Sequence, residues 1–391
     1  MKFWITPLVA ALALVMTGVS NAADDLVIGF STSTTGPYIS NSLTNQVAVD
    51  IAVNEINAAG GVNGHKLRVV QFDTGGDAKQ AVTALQQFTN DDNALGIIGP
   101  FASAEVRVAF PAGERAGIPS ITNAASTPGI TDGMKYGFRN TSDEGTQFRR
   151  LVEAMREKKM AIKSAAIIYA TDEFVSKSLG EQLYPGVFKA ANIPVTISVG
   201  FPLAAFDLAP QVAQLKQHPS DVVAIGGTVD AAVKIAKEMR RQGIKSRIVG
   251  SGVISDSELA QKLGPDGEGT LYPTYFFPNL NPSTVAFSKK FAAEAAKRNF
   301  QKTVPNQNDA SAYDVVYVYA EAMKRAKVTG DKSKVAAERT AIRDQLAQMK
   351  SWNYKGLLGH TFFGEDGAAN MPTYVIIDSH ALLQLMAEID D

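Results

Sequence analysis

Short runs of β-branched residues alternate along the chain with stretches whose apolar residues recur every three or four positions. That alternation predicts a parallel sheet with crossover helices. The first run is Leu26 to Phe30, and Val47, Ile51, Ala52 and Ile56 then recur at helical spacing from Thr44 until Gly60-Gly61 ends the element. A strand over His65 to Phe72, a helix over Ala78 to Thr89 and a buried-type strand over Leu95 to Ile98 extend the rhythm. It restarts at Ala165 to Tyr169 and continues through Pro194 to Val199, Asp221 to Ile225 and Arg247 to Gly250. Two such sheets exceed one ordinary domain. Polar stretches at Arg139 to Asp143 and Tyr272 to Pro282, and a change of character near Lys350, predict three crossings between two discontinuous lobes. The expected division is 23–142 plus 276–350 for the first lobe and 143–275 plus 351–391 for the second, with long helices over Ser283 to Arg298 and Asp309 to Ala326.

The amino terminus has a different pattern. Lys2 precedes an apolar run from Leu8 to Val19, closed by Ser20-Asn21-Ala22, which reads as a secretory signal peptide over residues 1–22, cut after Ala22. The run is short and flanked or broken by Pro7, Thr17 and Gly18, which disfavours a membrane anchor. The expected location is the periplasm, with no membrane insertion after cleavage. The chain has no cysteine, which excludes a lipobox, and it is long enough to bury large cores without disulfides. Lys+Arg 38 against Asp+Glu 39 leaves no basic footprint for nucleic acid or a membrane surface, so the expected partner is small.

Doubly wound sheets often bind dinucleotides, but the first strand-to-helix loop, Ser31 to Tyr38, lacks G-x-G-x-x-G and places Pro37 where the phosphate turn would be. No P-loop, nucleophile elbow or metal-ligand spacing occurs, and His65, His218, His360 and His380 are scattered. The expectation is a protein without catalysis, cofactor or metal.

Several segments, in order, carry a resemblance: Ile28-Gly-Phe30, Thr35-Gly-Pro37, Ala52 to Gly64 with its Asn-Ala-Ala-Gly-Gly turn, Ile98-Gly-Pro-Phe-Ala-Ser103, and Ile118 to Ser126. Together they resemble the leucine/isoleucine/valine-binding protein family of type I periplasmic binding proteins. The resemblance spans nearly the whole mature chain. It implies an α/β fold of two doubly wound lobes joined by a three-stranded hinge, with a ligand in the interlobe cleft and closure on binding. It also implies a monomer that hands a small carboxylate to an ABC permease and its ATPase. A ligand-sensing module working through a separate membrane partner is the alternative, since fold alone does not decide function.

The resemblance places the ligand's carboxylate on Ser103, Ala124 and Ser126, with Phe101 in the same loop. Ser103 also reads as the cap of a helix over Ala104 to Ala116, whose free N–H groups would favour an anion. From residue type alone, Ser103 is a cap and Ser126 a turn before Pro128. Tyr38 is a candidate cleft wall. In the second lobe the matching positions fall on Phe174, Thr228 and Gly252, where amino-acid binders tend to carry aromatics and an ammonium-binding glutamate. Phe174 cannot donate a hydrogen bond, and Gly252 offers no counter-charge, so the expected ligand is a carboxylate lacking an α-ammonium unless Asp172 or Asp256 substitutes.

Overall fold

The computed structural model describes residues 25–160 and 162–389, so the expected signal peptide lies outside the described residues. The first sheet has the order β2-β1-β3-β4-β5 and is parallel throughout. Its strands are β1 (Leu26–Thr32), β2 (Leu67–Asp73), β3 (Gly96–Ile98), β4 (Ser120–Thr122) and β5 (Gly137–Arg139). Successive strand residues point to opposite faces. Leu26, Ile28 and Phe30 therefore enter one core while Val27 enters the other. Helices Asn45–Ala58 and Gln307–Arg325 cover the first face, and Ala78–Asn90 and Ser103–Ala116 cover the second.

The second sheet comprises β6 (Ala165–Ala170), β7 (Val195–Phe201), β8 (Val222–Gly226), β9 (Arg247–Gly250) and β10 (Leu271–Thr274). After the small hairpin β11 (Lys355–Gly356) and β12 (Gly359–His360), it gains β13 (Thr373–Ser379) and β14 (Leu382–Ile389). Its order is β14-β13-β10-β9-β8-β6-β7, with β10, β13 and β14 paired antiparallel. Ala166, Ile168 and Ala170 face one core, Ala165 and Ile167 the other.

Two features depart from the sequence reading. The stretch after Tyr272, expected as an irregular crossing, begins inside β10, whose Pro273 disguises it. Proline has no N–H to give, but β9 meets β10 at the single pair Leu271↔Val249, so the missing donor falls beyond that contact. The third crossing, expected near Lys350, follows Met371 instead. Trp352, Leu358, Phe363, Ala369 and Met371 pack into the first-lobe core, with the Phe363 ring 5.0 Å from that of Phe138. The hairpin is held there by buried Asp314, which accepts from Leu357 N at 2.7 Å and Leu358 N at 2.9 Å.

Tyr319 ties the long helix to the first sheet. Its hydroxyl lies 2.8 Å from Ile97 O and 2.9 Å from Pro119 O, and it accepts from Ile97 N at 3.2 Å. Tyr319→Phe is expected to lower stability by about 1–3 kcal/mol, because buried backbone groups lose a partner. Urea denaturation measures it, and an unchanged midpoint would remove this hydroxyl from the account.

Candidate functional site

Both sheets point the carboxyl ends of their parallel strands at one crevice, the place where open α/β sheets bind ligands. A cavity of ≈ 50 Å³ lies there. From the first lobe it is lined by Tyr38 after β1, Phe101 and Ser103 after β3, and Ala124 and Ser126 after β4. From the second lobe come Glu173 and Val175 after β6, Thr228 after β8 and Gly252 after β9. Glu144, Gln307 and Asn308, from the first turns of helices beginning near the crossings, complete the wall.

The first-lobe side is a cluster of hydroxyls and amides. Helix Ser103–Ala116 is capped one residue earlier than expected, at Ala102, whose N–H is accepted by Glu105 Oε2 at 2.7 Å. Ser103 is thereby released from capping. Its Oγ accepts from Ser126 N at 3.3 Å and Thr127 N at 3.4 Å, which leaves its proton to be donated. Burial raises the Glu105 carboxyl to about 7 despite lowering hydrogen bonds from Thr74 and Ala102.

Glu144 is the decisive group of the second-lobe side. It is buried, its Oε2 accepts from Gly252 N at 2.9 Å, and the side chains of Ser126 and Ser251 lie close to it. Its own N–H donates to Ser126 O at 3.0 Å, fastening the helix start to the loop after β4. Desolvation raises its pKa to about 7 against the lowering effect of Ser126, Ser251 and the Gly252 N–H, with Asp143 adding to the rise.

The lobes touch at several points around the cavity. Tyr38 Oη donates to Glu173 Oε1 at 3.1 Å, Ser40 Oγ lies 3.2 Å from Asp230 Oδ2, and Gln307 Nε2 donates to Gly252 O at 2.8 Å. This is a closed cleft between two lobes, built around polar groups and two acids.

A family model described as periplasmic binding protein matches residues 25–376 of this chain. The chain belongs to the periplasmic binding protein family. It is 28% identical over 379 residues to the Leu/Ile/Val-binding protein homolog 1 of Brucella melitensis, covering 94% of this chain and 93% of that protein. It is 30% identical over 254 residues to the Leu/Ile/Val-binding protein of Citrobacter freundii, covering 64% and 67%. Its fold is that of the branched-chain amino acid transporter substrate binding protein of Streptococcus pneumoniae, solved with isoleucine, at a TM-score of 0.80 and 23% identity over 93% of this chain and 99% of that one. A solute binding protein of an ABC transporter from Rhodopseudomonas palustris, solved with 3,4-dihydroxybenzoic acid, is equally close in fold, with a TM-score of 0.79 and 18% identity over 94% and 98%. The chain is thus a substrate-binding protein of the Leu/Ile/Val-binding type and not an enzyme.

Within this periplasmic binding protein, Ser103, Ala124, Ser126, Phe101, Tyr38, Thr228 and Gly252 converge on the cavity, and Phe174 does not. The Phe174 ring turns outward beneath Arg107, whose guanidinium lies 4.8 Å from the ring centroid, while its neighbours Glu173 and Val175 face in. Neither proposed substitute acid reaches the cavity. Asp172 accepts from Leu203 N at 2.7 Å in an outer groove, and Asp256 accepts from Glu258 N at 2.7 Å and pairs with Lys262 at 3.4 Å. Two acids that the sequence reading did not single out, Glu144 and Glu173, line the cavity instead. Gly252 does lack a charge, but its N–H donates to Glu144 Oε2 at 2.9 Å, while the Gln147 amide occupies the space that a Cβ would take.

Proposed function

We propose that this protein is the periplasmic component of an ABC importer and that it captures an α-amino acid between its lobes for delivery to the permease and its ATPase. The ligand carboxylate lies on Ser103, the amides of the loop from Ala124 and Ser126, and its ammonium faces Glu144. The observation that carries the reading is the buried Glu144 carboxyl lining the same cavity as Ser126, to whose carbonyl the Glu144 N–H donates at 3.0 Å. In an α-amino acid the two charged groups flank one carbon, so an anion held at Ser126 puts the ammonium within reach of that acid. A buried ammonium needs such a counter-charge. The leucine- or isoleucine-type binding of the relatives supports the same class, whereas the dihydroxybenzoate complex is the precedent for a ligand without an ammonium.

Calorimetry on leucine against 4-methyl-2-oxopentanoate and on phenylalanine against phenylpyruvate tests the reading. Preference for the amino acid in each pair that binds is expected, and preference for the oxo acid would overturn it. Ser103→Ala and Ser126→Ala are each expected to weaken binding by about 1.5–3 kcal/mol, the range for hydrogen bonds to charged groups. Wild-type affinity in both would return these serines to purely structural roles.

A further inference from the structure

We propose that Tyr38 and Glu173 form an interlobe gate that ends the ligand cavity and limits how long a ligand side chain it accepts. The proposal rests on the inner cavity being the ligand site. Tyr38, Glu173 and Thr228 line both that cavity and an outer groove of ≈ 600 Å³ at the cleft mouth, so these three residues are the partition between the two spaces. The partition is joined across the lobes, since Tyr38 follows β1 in the first lobe and Glu173 follows β6 in the second, and the bond between them is 3.1 Å.

Glu173 is built as a fixed jamb. Its Oε1 accepts from Val175 N at 3.1 Å as well as from Tyr38, and its Oε2 accepts from Ser176 N at 2.7 Å and Ser176 Oγ at 2.6 Å. A carboxylate has about four acceptor sites, and these donors fill them. Glu173 therefore has no site left for a ligand ammonium, although it lines the cavity, and that task falls to Glu144. Tyr38 is the leaf that meets it from the other lobe. Its ring packs against Phe101 at 5.8 Å between centroids, and on another side it lies so close to Gly76 that a Cβ there would come within 2.7 Å of a ring carbon. Burial and the neighbouring Glu173 raise the phenol's pKa, so it stays a donor. Beyond the gate the groove is lined by Phe174, Leu203, Ala205 and Leu208, apolar surface into which a longer side chain would extend.

The absence of cysteine allows a clean test, because cysteines introduced at exposed Gln80 in the first lobe and Lys216 in the second carry a fluorophore pair without competing sites. Tyr38→Phe keeps the ring and removes the donor, whereas Tyr38→Ala removes both. In Tyr38→Phe, energy transfer should show a smaller closed population with and without leucine, and leucine should dissociate roughly tenfold faster, as for loss of one hydrogen bond to a charged group. Its ranking of short against long amino acids should not change. In Tyr38→Ala, affinity for phenylalanine relative to alanine should rise by roughly tenfold, the scale of burying one or two further methylene groups against apolar surface. An unchanged closed population in Tyr38→Phe, or a uniform loss for all amino acids in Tyr38→Ala, would overturn the gate. Should no amino acid bind even the wild type, the function reading fails, and the ligand-free energy transfer of Tyr38→Phe still decides the latch.

Discussion

Glu144→Gln should weaken α-amino acid binding by about 3–5 kcal/mol, the usual cost of leaving one partner of a buried charge pair uncompensated. Glutamine keeps an oxygen to accept from Gly252 N, so the backbone contact at 2.9 Å can survive while the charge is lost. The matched oxo acid should bind the variant at least as well as the wild type, because Glu144 opposes a carboxylate that brings no ammonium. The same substitution should change the pH dependence of stability. The Glu144 pKa is raised by burial from an ordinary carboxyl value of 4.5 to about 7. A raised carboxyl contributes stability that is fully present below its unfolded value and is lost as pH rises through its folded value. Ligand-free wild type should therefore lose stability between about pH 4.5 and 7 relative to Glu144→Gln. Glu105, raised in the same direction, cancels in that comparison because it is common to both proteins. Equal leucine affinity in wild type and variant would remove Glu144 from the ligand.

Gly99→Ala should cost ~3 kcal/mol or more, combining backbone strain at a left-handed position with overpacking. Gly99 has φ +96°, and a Cβ built on it would stand 2.0 Å from Ser31 O, a backbone atom of β1 that cannot turn aside. The consequence reaches the site, because residues 101–103 follow directly and deliver Phe101 and Ser103 to the cavity. Chemical denaturation and leucine titration together measure both effects. A variant within about 1 kcal/mol of wild type would show that β1 and the β3 loop can separate without penalty.

The strands of both lobes are legible where apolar runs are continuous, as at Leu26–Thr32 and Val222–Gly226, since strands covered on both faces need no polar alternation. Leu271–Thr274 is not, because proline is a strand breaker unless its missing donor meets no partner, and pairing is a tertiary fact. The segment from Trp352 to Met371 joins the first lobe rather than the expected second for a similar reason: its apolar residues do not say which core they enter. At the site, Ser103, Ala124 and Ser126 are reached through the family resemblance, since residue type alone reads the two serines as a cap and a turn; they lie in the loops after β3 and β4 that line the cavity. Glu144 is hidden from sequence reasoning. It begins a helix just after the first crossing, an ordinary place for an acid, and only the folded approach of Gly252 turns it into a buried wall residue. After β6 the displacement is one position, with Glu173 and Val175 facing inward and Phe174 outward, a difference set by the turn of a short helix.

The ammonium of a captured amino acid should meet a carboxyl that is largely protonated before binding. Calorimetry of leucine binding near pH 6, repeated in buffers of different ionisation enthalpy, counts the protons exchanged. With Glu144 at about 7 in the ligand-free protein, pairing with the ammonium should release close to one proton per leucine bound, and Glu144→Gln should release almost none. Leucine binding by the wild type with no proton released, or with proton uptake, would contradict the account.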